Sequence, residues 1–249
     1  MRAALVAPAA AVQFLTILPV RLPREVPDGA FPGAVALFPL VGLAIGGLVA
    51  SVDALLGLVL PAPITAAVDL AFLAMLTGGL HLDGLADAAD GLLGNLRPER
   101  RLEVMREGGI GAFGVVAVVL VLLLEYGGLV SLEPQIRFAA LVAAVVLSRW
   151  AMSLLLWAFP YARAEGTGSA FRSGLRPAHL LVSTLLAGLI AGALFTFGAV
   201  LLLVIAGGIA LLVGWYAVRR VGGCTGDVYG GAGELVFAAT VAAIAGLAR

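Results

Sequence analysis

The sequence predicts an all-α, polytopic integral membrane protein: a helical bundle of about seven transmembrane helices, with an interfacial or re-entrant helix before them. Three observations lead there. Hydrophobic residues fill 62% of the 249 positions and charged residues only 12%, with a mean hydropathy of +1.11. An ordinary globular domain carries about 25% charged residues, so this chain has roughly half the charge needed to coat a surface in water. The apolar residues also gather into runs of bilayer-crossing length, and the polar residues gather between those runs. The formal net charge is zero, which gives no reason to expect a nucleic-acid partner.

The chain reads as a single transmembrane domain over residues 1–249, whose first 30 residues form the N-terminal segment. Within it LVAPAAAVQFLTILPVRLP (residues 5–23) is short and rich in proline, which favours an interfacial or re-entrant helix over a span. Candidate spans follow at about 33–58, 63–82, 112–130, 138–158, 178–197, 199–217 and 232–248. Each has the length a helix needs to cross the hydrocarbon. The first is overlong and glycine-rich, and Pro39 is expected to kink or split it. The fifth and sixth form one apolar stretch, which by length must fold as a tight hairpin. No cleavage site is clear, so the N-terminus is expected to be retained. The single Cys224 excludes an internal disulfide and a cysteine-cluster metal site.

All fifteen basic residues are arginine. This usage suits phosphate binding, and equally fits a bias of the source genome. Their placement is more informative. Arg2, Arg21, Arg24, Arg97, Arg100, Arg101, Arg106, Arg163, Arg172, Arg176, Arg219 and Arg220 all fall on one side of a seven-span arrangement. Only Arg137 and Arg249 fall on the other, and Arg149 lies inside a span. The arginine-rich side is expected to be cytoplasmic. HLDGLADAADGLLG (81–94), the loop 159–177 and the loop 221–231 all emerge there, so one site can be built from all three.

Asp83, Asp87 and Asp90 are spaced i, i+4, i+7, within about 60° of one another on a helix. Like charges at that spacing repel, and desolvation near a membrane raises the cost. A divalent cation relieves both, and oxygen ligands select a hard one such as Mg²⁺, Mn²⁺ or Ca²⁺. GCTGDVYGGAGEL (223–235) brings Thr225, Asp227 and Glu234 among glycines that permit close approach to a ligand. Glu234 lies inside the last span, where a carboxylate is a functional candidate. Arg149 in span four is expected to meet a carboxylate or an anionic ligand. Arg163, Glu165 and Arg172 sit in a loop of glycines and hydroxyls suited to phosphate.

In REGGIGAFG (106–114), Arg106 and Glu107 precede glycines that either present helix N-terminal amides to an anion or allow tight helix packing. His81 lies opposite Asp83 on a continuous helix. An interfacial role is its default, and a substrate or proton role requires a bend at Gly84. Together these residues describe a membrane protein with a metal–phosphate site. No P-loop, nucleophile elbow or dinucleotide fingerprint is present.

FLTILPVRLP, FPLVGLAIGGL, TGGLHLDGLADAADGLLG, VMREGGIGAFG, SRWAM, FPYARAEGTGSAF and GCTGDVYGGAGEL occur in this order. The chain thereby resembles, over nearly its full length, the cobalamin synthase (adenosylcobinamide-GDP ribazoletransferase) family. The resemblance implies a Mg²⁺-dependent enzyme of the bacterial inner membrane with its active site facing the cytoplasm. Its substrates would be adenosylcobinamide-GDP and α-ribazole or α-ribazole 5′-phosphate. GMP would be released, and adenosylcobalamin or its 5′-phosphate formed. A homo-oligomer, or a complex with other cobalamin-assembly enzymes, is the partner class it leaves open beside the lipid bilayer.

On that resemblance Asp83, Asp87 and Asp90 would hold the metal, with Asp83, Asp227, Glu234 and Arg149 catalytic. His81, Arg106, Glu107, Arg163, Glu165 and Thr225 would bind substrate. The chain departs from the family pattern at Gly109 and Ala112, where an arginine and a hydroxyl are expected. No basic or hydroxyl role carries over to those two positions. A CDP-alcohol-type phosphotransferase also uses an aspartate-rich helix, but its pattern fails here after DGLA, where Asp87 and Ala88 follow. A divalent-cation transporter predicts acids near mid-membrane and a path open to both sides.

Overall fold

The computed structural model describes residues 2–163 and 166–248. These form α1 (Arg2–Leu15), α2 (Ala30–Ala36), α3 (Phe38–Leu56), α4 (Ala62–Leu76), α5 (Leu80–Leu93), α6 (Pro98–Val104), α7 (Ala112–Val130), α8 (Pro134–Ala158), α9 (Thr167–Arg172), α10 (Pro177–Phe195), α11 (Gly198–Val221) and α12 (Gly226–Leu247). The described residues contain no strand, only an isolated bridge between Tyr161 and Cys224.

Six helices, α3, α7, α8, α10, α11 and α12, are long and apolar enough to cross a membrane. A seventh crossing exists only as the pair α4 and α5, bent by 87°. The all-helical membrane bundle expected from composition is therefore the fold. Its outward faces are apolar, with Leu120, Leu123, Leu124, Leu189 and Val204 exposed, as a hydrocarbon solvent requires.

Two spans depart from a simple reading. The overlong first run divides at Leu37 into α2 and α3, and Pro39 lies in the first turn of α3. There a proline lacks only an amide that would have no helical partner. The second run does not continue to residue 82. It stops at Thr77, and Gly78 and Gly79 take φ of +64° and +68°. Two successive left-handed residues turn the chain sharply, and glycine reaches that conformation without steric cost. The aspartate-bearing segment therefore becomes a helix of its own. At 14 residues it is about 21 Å long, too short to span. The expected hairpin between the fifth and sixth spans forms as read, turning at Thr196 and Phe197.

The core helix is α8, whose most apolar window is 89% buried against 17% for α10. It packs against α3 through Gly42 and Gly46, where an added Cβ would meet the Cα atoms of Val146 and Val142 at 3.0 Å. Small residues at four-residue spacing let helix backbones approach this closely within a membrane. Gly46→Leu is expected to destabilise the protein by about 1–3 kcal/mol through overpacking, seen as a lowered thermal midpoint in detergent. At the far end of the same pair, Arg137 Nε donates to Asp53 Oδ2 at 3.1 Å. Both are buried, which ties α3 to α8 away from the end described next.

Candidate active site

Where α8 ends and α12 begins, α5, the loop after α8 and the first turn of α12 converge on a cavity of about 520 Å³. His81, Asp83, Tyr161, Arg163 and Asp227 line one part of it. The loops expected to share one side of the bundle do meet.

The position of α5 is set at its C-terminal end. Arg101 Nη1 donates to the carbonyl oxygens of Gly91 and Leu92, each at 2.8 Å. Arg220 Nε adds a bond to Leu92 at 3.0 Å, and the Tyr216 hydroxyl another at 3.3 Å. Cations here satisfy the last carbonyls and oppose the negative end of the helix dipole. Asp90 performs the converse role for α7. Its Oδ2 accepts from Gly111 N at 2.7 Å and its Oδ1 from Gly114 N at 2.9 Å. A carboxylate is well matched to the free amides and positive end of a helix N-terminus.

This placement departs from the reading of Asp90 as a member of a three-aspartate metal face. It also answers the question left by REGGIGAFG: the anion at those amides is Asp90 itself. The space allows nothing larger, because a Cβ on Gly111 or Gly114 would lie 2.4 Å from an Asp90 oxygen.

Asp83 and Asp87 stay together, one turn apart, and Asp227 joins them. Gly84 sits between the two on α5, and a Cβ there would be 3.0 Å from the Asp227 carbonyl oxygen. The missing side chain lets the start of α12 lie directly against the aspartate pair. Asp83, Asp227 and, more weakly, Asp90 all stand close enough to Asp87 to repel it. Asp227 is held by two donors on Oδ2, Arg163 Nη2 at 2.9 Å and the Thr225 hydroxyl at 3.0 Å. Thr225 also accepts from Val228 N at 3.3 Å as the N-cap of α12. This buried hydroxyl therefore orients Asp227 and does not line the cavity.

Among the described residues no three Asp, Glu, His or Cys side chains form a metal cage by themselves. The donor set still fits Mg²⁺, which is usually held by one or two carboxylates plus substrate phosphates. Asp83 on the cavity lining and Asp87 one turn along α5 supply that number of hard oxygen donors.

A second, buried polar set adjoins the cavity, and its His81 reaches the lining. His81 is 1% exposed, and neither ring nitrogen has a hydrogen-bond partner. It is neither interfacial nor released by a bend at Gly84, since α5 runs unbroken through that residue and bends before it. The Arg149 guanidinium is also buried, donating from Nη1 to Ser148 Oγ at 2.7 Å and leaving Nε and Nη2 without partners. Glu234 is the carboxylate whose field reaches Arg149, and it stands close enough to Glu125 for the two carboxyls to repel each other. Arg149 and Glu234, read as catalytic, are not among the residues lining the cavity.

Arg106 and Glu107 lie apart from the cavity. Both are exposed, and the Glu107 oxygens pair with Arg100 across the turn after α6. Glu165 falls outside the described residues. Glu125, Asp53 and Asp69 are the buried acids that sequence reasoning missed. Each is a lone carboxylate inside an apolar run, and that isolation was the available signal.

Cys224 is fully buried beside the Tyr161 strand bridge, and burial pushes its thiol up to about 12. A thiol that high is almost entirely protonated near neutral pH and a poor nucleophile. The native protein is expected to resist N-ethylmaleimide, with one adduct appearing by mass spectrometry only after unfolding.

Comparison with known proteins then decides the family. The family model described as CobS, cobalamin-5-phosphate synthase, matches residues 7–245. The chain belongs to the CobS family. A relative from Desulforamulus reducens named adenosylcobinamide-GDP ribazoletransferase is 36% identical over 91% of this chain and 90% of its own. Relatives of the same name from Roseiflexus sp. and Pseudomonas fluorescens are 38% and 40% identical. They cover 90% and 94% of this chain, and 84% and 97% of theirs. No solved structure matches it. As a CobS family member the chain is set apart from the CDP-alcohol-type and transporter readings.

Proposed function

We propose that the protein transfers the adenosylcobinamide phosphate group of adenosylcobinamide-GDP to a ribose hydroxyl of α-ribazole or its 5′-phosphate. GMP leaves, and adenosylcobalamin or its 5′-phosphate forms. The observation that carries this reading is the juxtaposition of Asp83 and Asp227 with Arg163 at one cavity, with Asp87 one turn along α5 from Asp83. Phosphoryl transfer asks a protein mainly for positioning and for neutralisation of charge.

Asp83 and Asp87 would hold Mg²⁺, which supplies charge neutralisation on the diphosphate when bound. Arg163, fixed by Asp227, presents its guanidinium to the phosphates. Asp227 orients the attacking hydroxyl and takes its proton as the new P–O bond forms and the bond to GMP breaks. Arg149, Glu234 and Glu125 lie off the cavity lining as a buried polar layer, and His81 joins that layer to the cavity. The protein would sit in the inner membrane with this end in the cytoplasm, because Arg97, Arg100, Arg101, Arg163, Arg219 and Arg220 all belong to it.

Membranes carrying the protein, given adenosylcobinamide-GDP, α-ribazole and Mg²⁺, are expected to release GMP and form a cobalamin in equal amounts. Chelation of the metal should stop both. Absence of product where a proven ribazoletransferase works would overturn the reading.

A further inference from the structure

The cavity has two unlike halves. Beside the charged residues the lining also includes Phe14 of α1, Phe31 of α2 and Phe171 of α9, with Leu22 and Met152. Phe171 is 2% exposed and packs against Phe14 and Phe31 with ring centroids 4.4 Å and 5.1 Å away. Phe14 in turn stacks on buried Phe38 at 5.6 Å, with the rings 16° from parallel. The rings therefore hold one another in place. Phe14 and Phe31 are half-buried and keep surface for the cavity. The one amide side chain described on that lining is Gln13.

We infer that Phe14 and Phe31, backed by the buried Phe171, seat the heteroaromatic base of the acceptor nucleoside, and that this wall selects bases with a hydrocarbon edge. The inference rests on the transfer reaction proposed above, whose substrates bring three bulky groups to the site. Guanine carries several hydrogen-bonding groups on its edge. An apolar wall would leave them unpaired, at a cost. A corrinoid is far too large for a cavity of about 520 Å³ that must also admit phosphates. A fused-ring base with few polar atoms stacks on aromatic faces without that penalty. Seated there, it directs its ribose across the cavity toward Asp227 and Arg163. The same arrangement explains why an N-terminal helix too short to span is packed into the bundle. Ala10, Ala11 and Leu15 of α1 are buried, and this anchors Phe14.

The test is steady-state kinetics on the full-length protein in lipid, with each substrate varied in turn. Phe31→Ala and Phe14→Ala are expected to raise the KM for α-ribazole about 10-fold, in line with the loss of one stacked ring. The KM for adenosylcobinamide-GDP should stay unchanged. With two α-ribosides differing only in base, benzimidazole or adenine, the wild type should prefer benzimidazole and the variants should lose most of that preference. If the alanine variants fail to fold, Phe31→Leu keeps bulk without an aromatic face and should show the same shift in part. A rise in the KM for the GDP substrate instead, or an unshifted ribazole KM, overturns the seat. A wild type that forms no cobalamin overturns the proposed reaction itself, so the two failures are distinguishable.

Discussion

Asp83→Asn is expected to lower cobalamin formation by about 10²–10³-fold, the usual loss when one charge-stabilising group leaves a polar transition state. Asp83 is exposed at the cavity, so the variant should insert and melt like wild type. Asp90→Asn, seven residues along the same helix, should behave in the opposite way. Its carboxylate holds two backbone amides, and an asparagine turns one acceptor oxygen into a donor facing an N–H. Leaving that amide unsatisfied costs about 1–3 kcal/mol, so the defect should be in stability, with near-normal turnover per folded molecule. GMP release and thermal unfolding, measured on the same preparations, separate the two. Equal loss of turnover at both positions would restore a three-aspartate metal face.

Gly84→Val should be nearly as damaging as losing an aspartate, although glycine has no chemistry of its own. The new Cβ would meet the Asp227 backbone at 3.0 Å, and the start of α12 must move away from α5. A displacement on the order of 1 Å at a reacting group costs about 10²-fold in rate. Gly47→Ala is the matching control, since nothing lies within 4 Å of its added Cβ. An unchanged kcat/KM in Gly84→Val, with the fold intact, would separate Asp227 from the aspartate pair in function.

Glu125 shows where the reading of single runs stops. Its surroundings in sequence, LVLLLEYGG, mark only a span with one anomalous acid. Its partner Glu234 is more than a hundred residues away in sequence, so the pairing belongs to the packing of α7 on α12. Asp53 and Arg137 are a similar case, joined across α3 and α8. The turn at Gly78 and Gly79 lay inside what reads as a single apolar run. Hydropathy sums over a window and does not register two left-handed residues. Spacing alone placed Asp90 correctly on a face with its neighbours. It was silent about the α7 amides that would reach that face first.

The linear chain was sufficient for whatever depends on composition, length and local order. The membrane bundle follows from apolar runs against a bilayer of set thickness. The convergence of the polar loops follows from how many times the chain crosses. The acidic helix and the family are legible in HLDGLADAADGLLG and the blocks that accompany it. Tertiary structure alone decided which of those acids share a site. Asp90 went to a helix terminus, Asp227 came in through the gap at Gly84, and three phenylalanines from separate helices built a wall. A carboxylate's role depends on which donors reach it within about 3 Å. Those donors came from segments far away in the sequence.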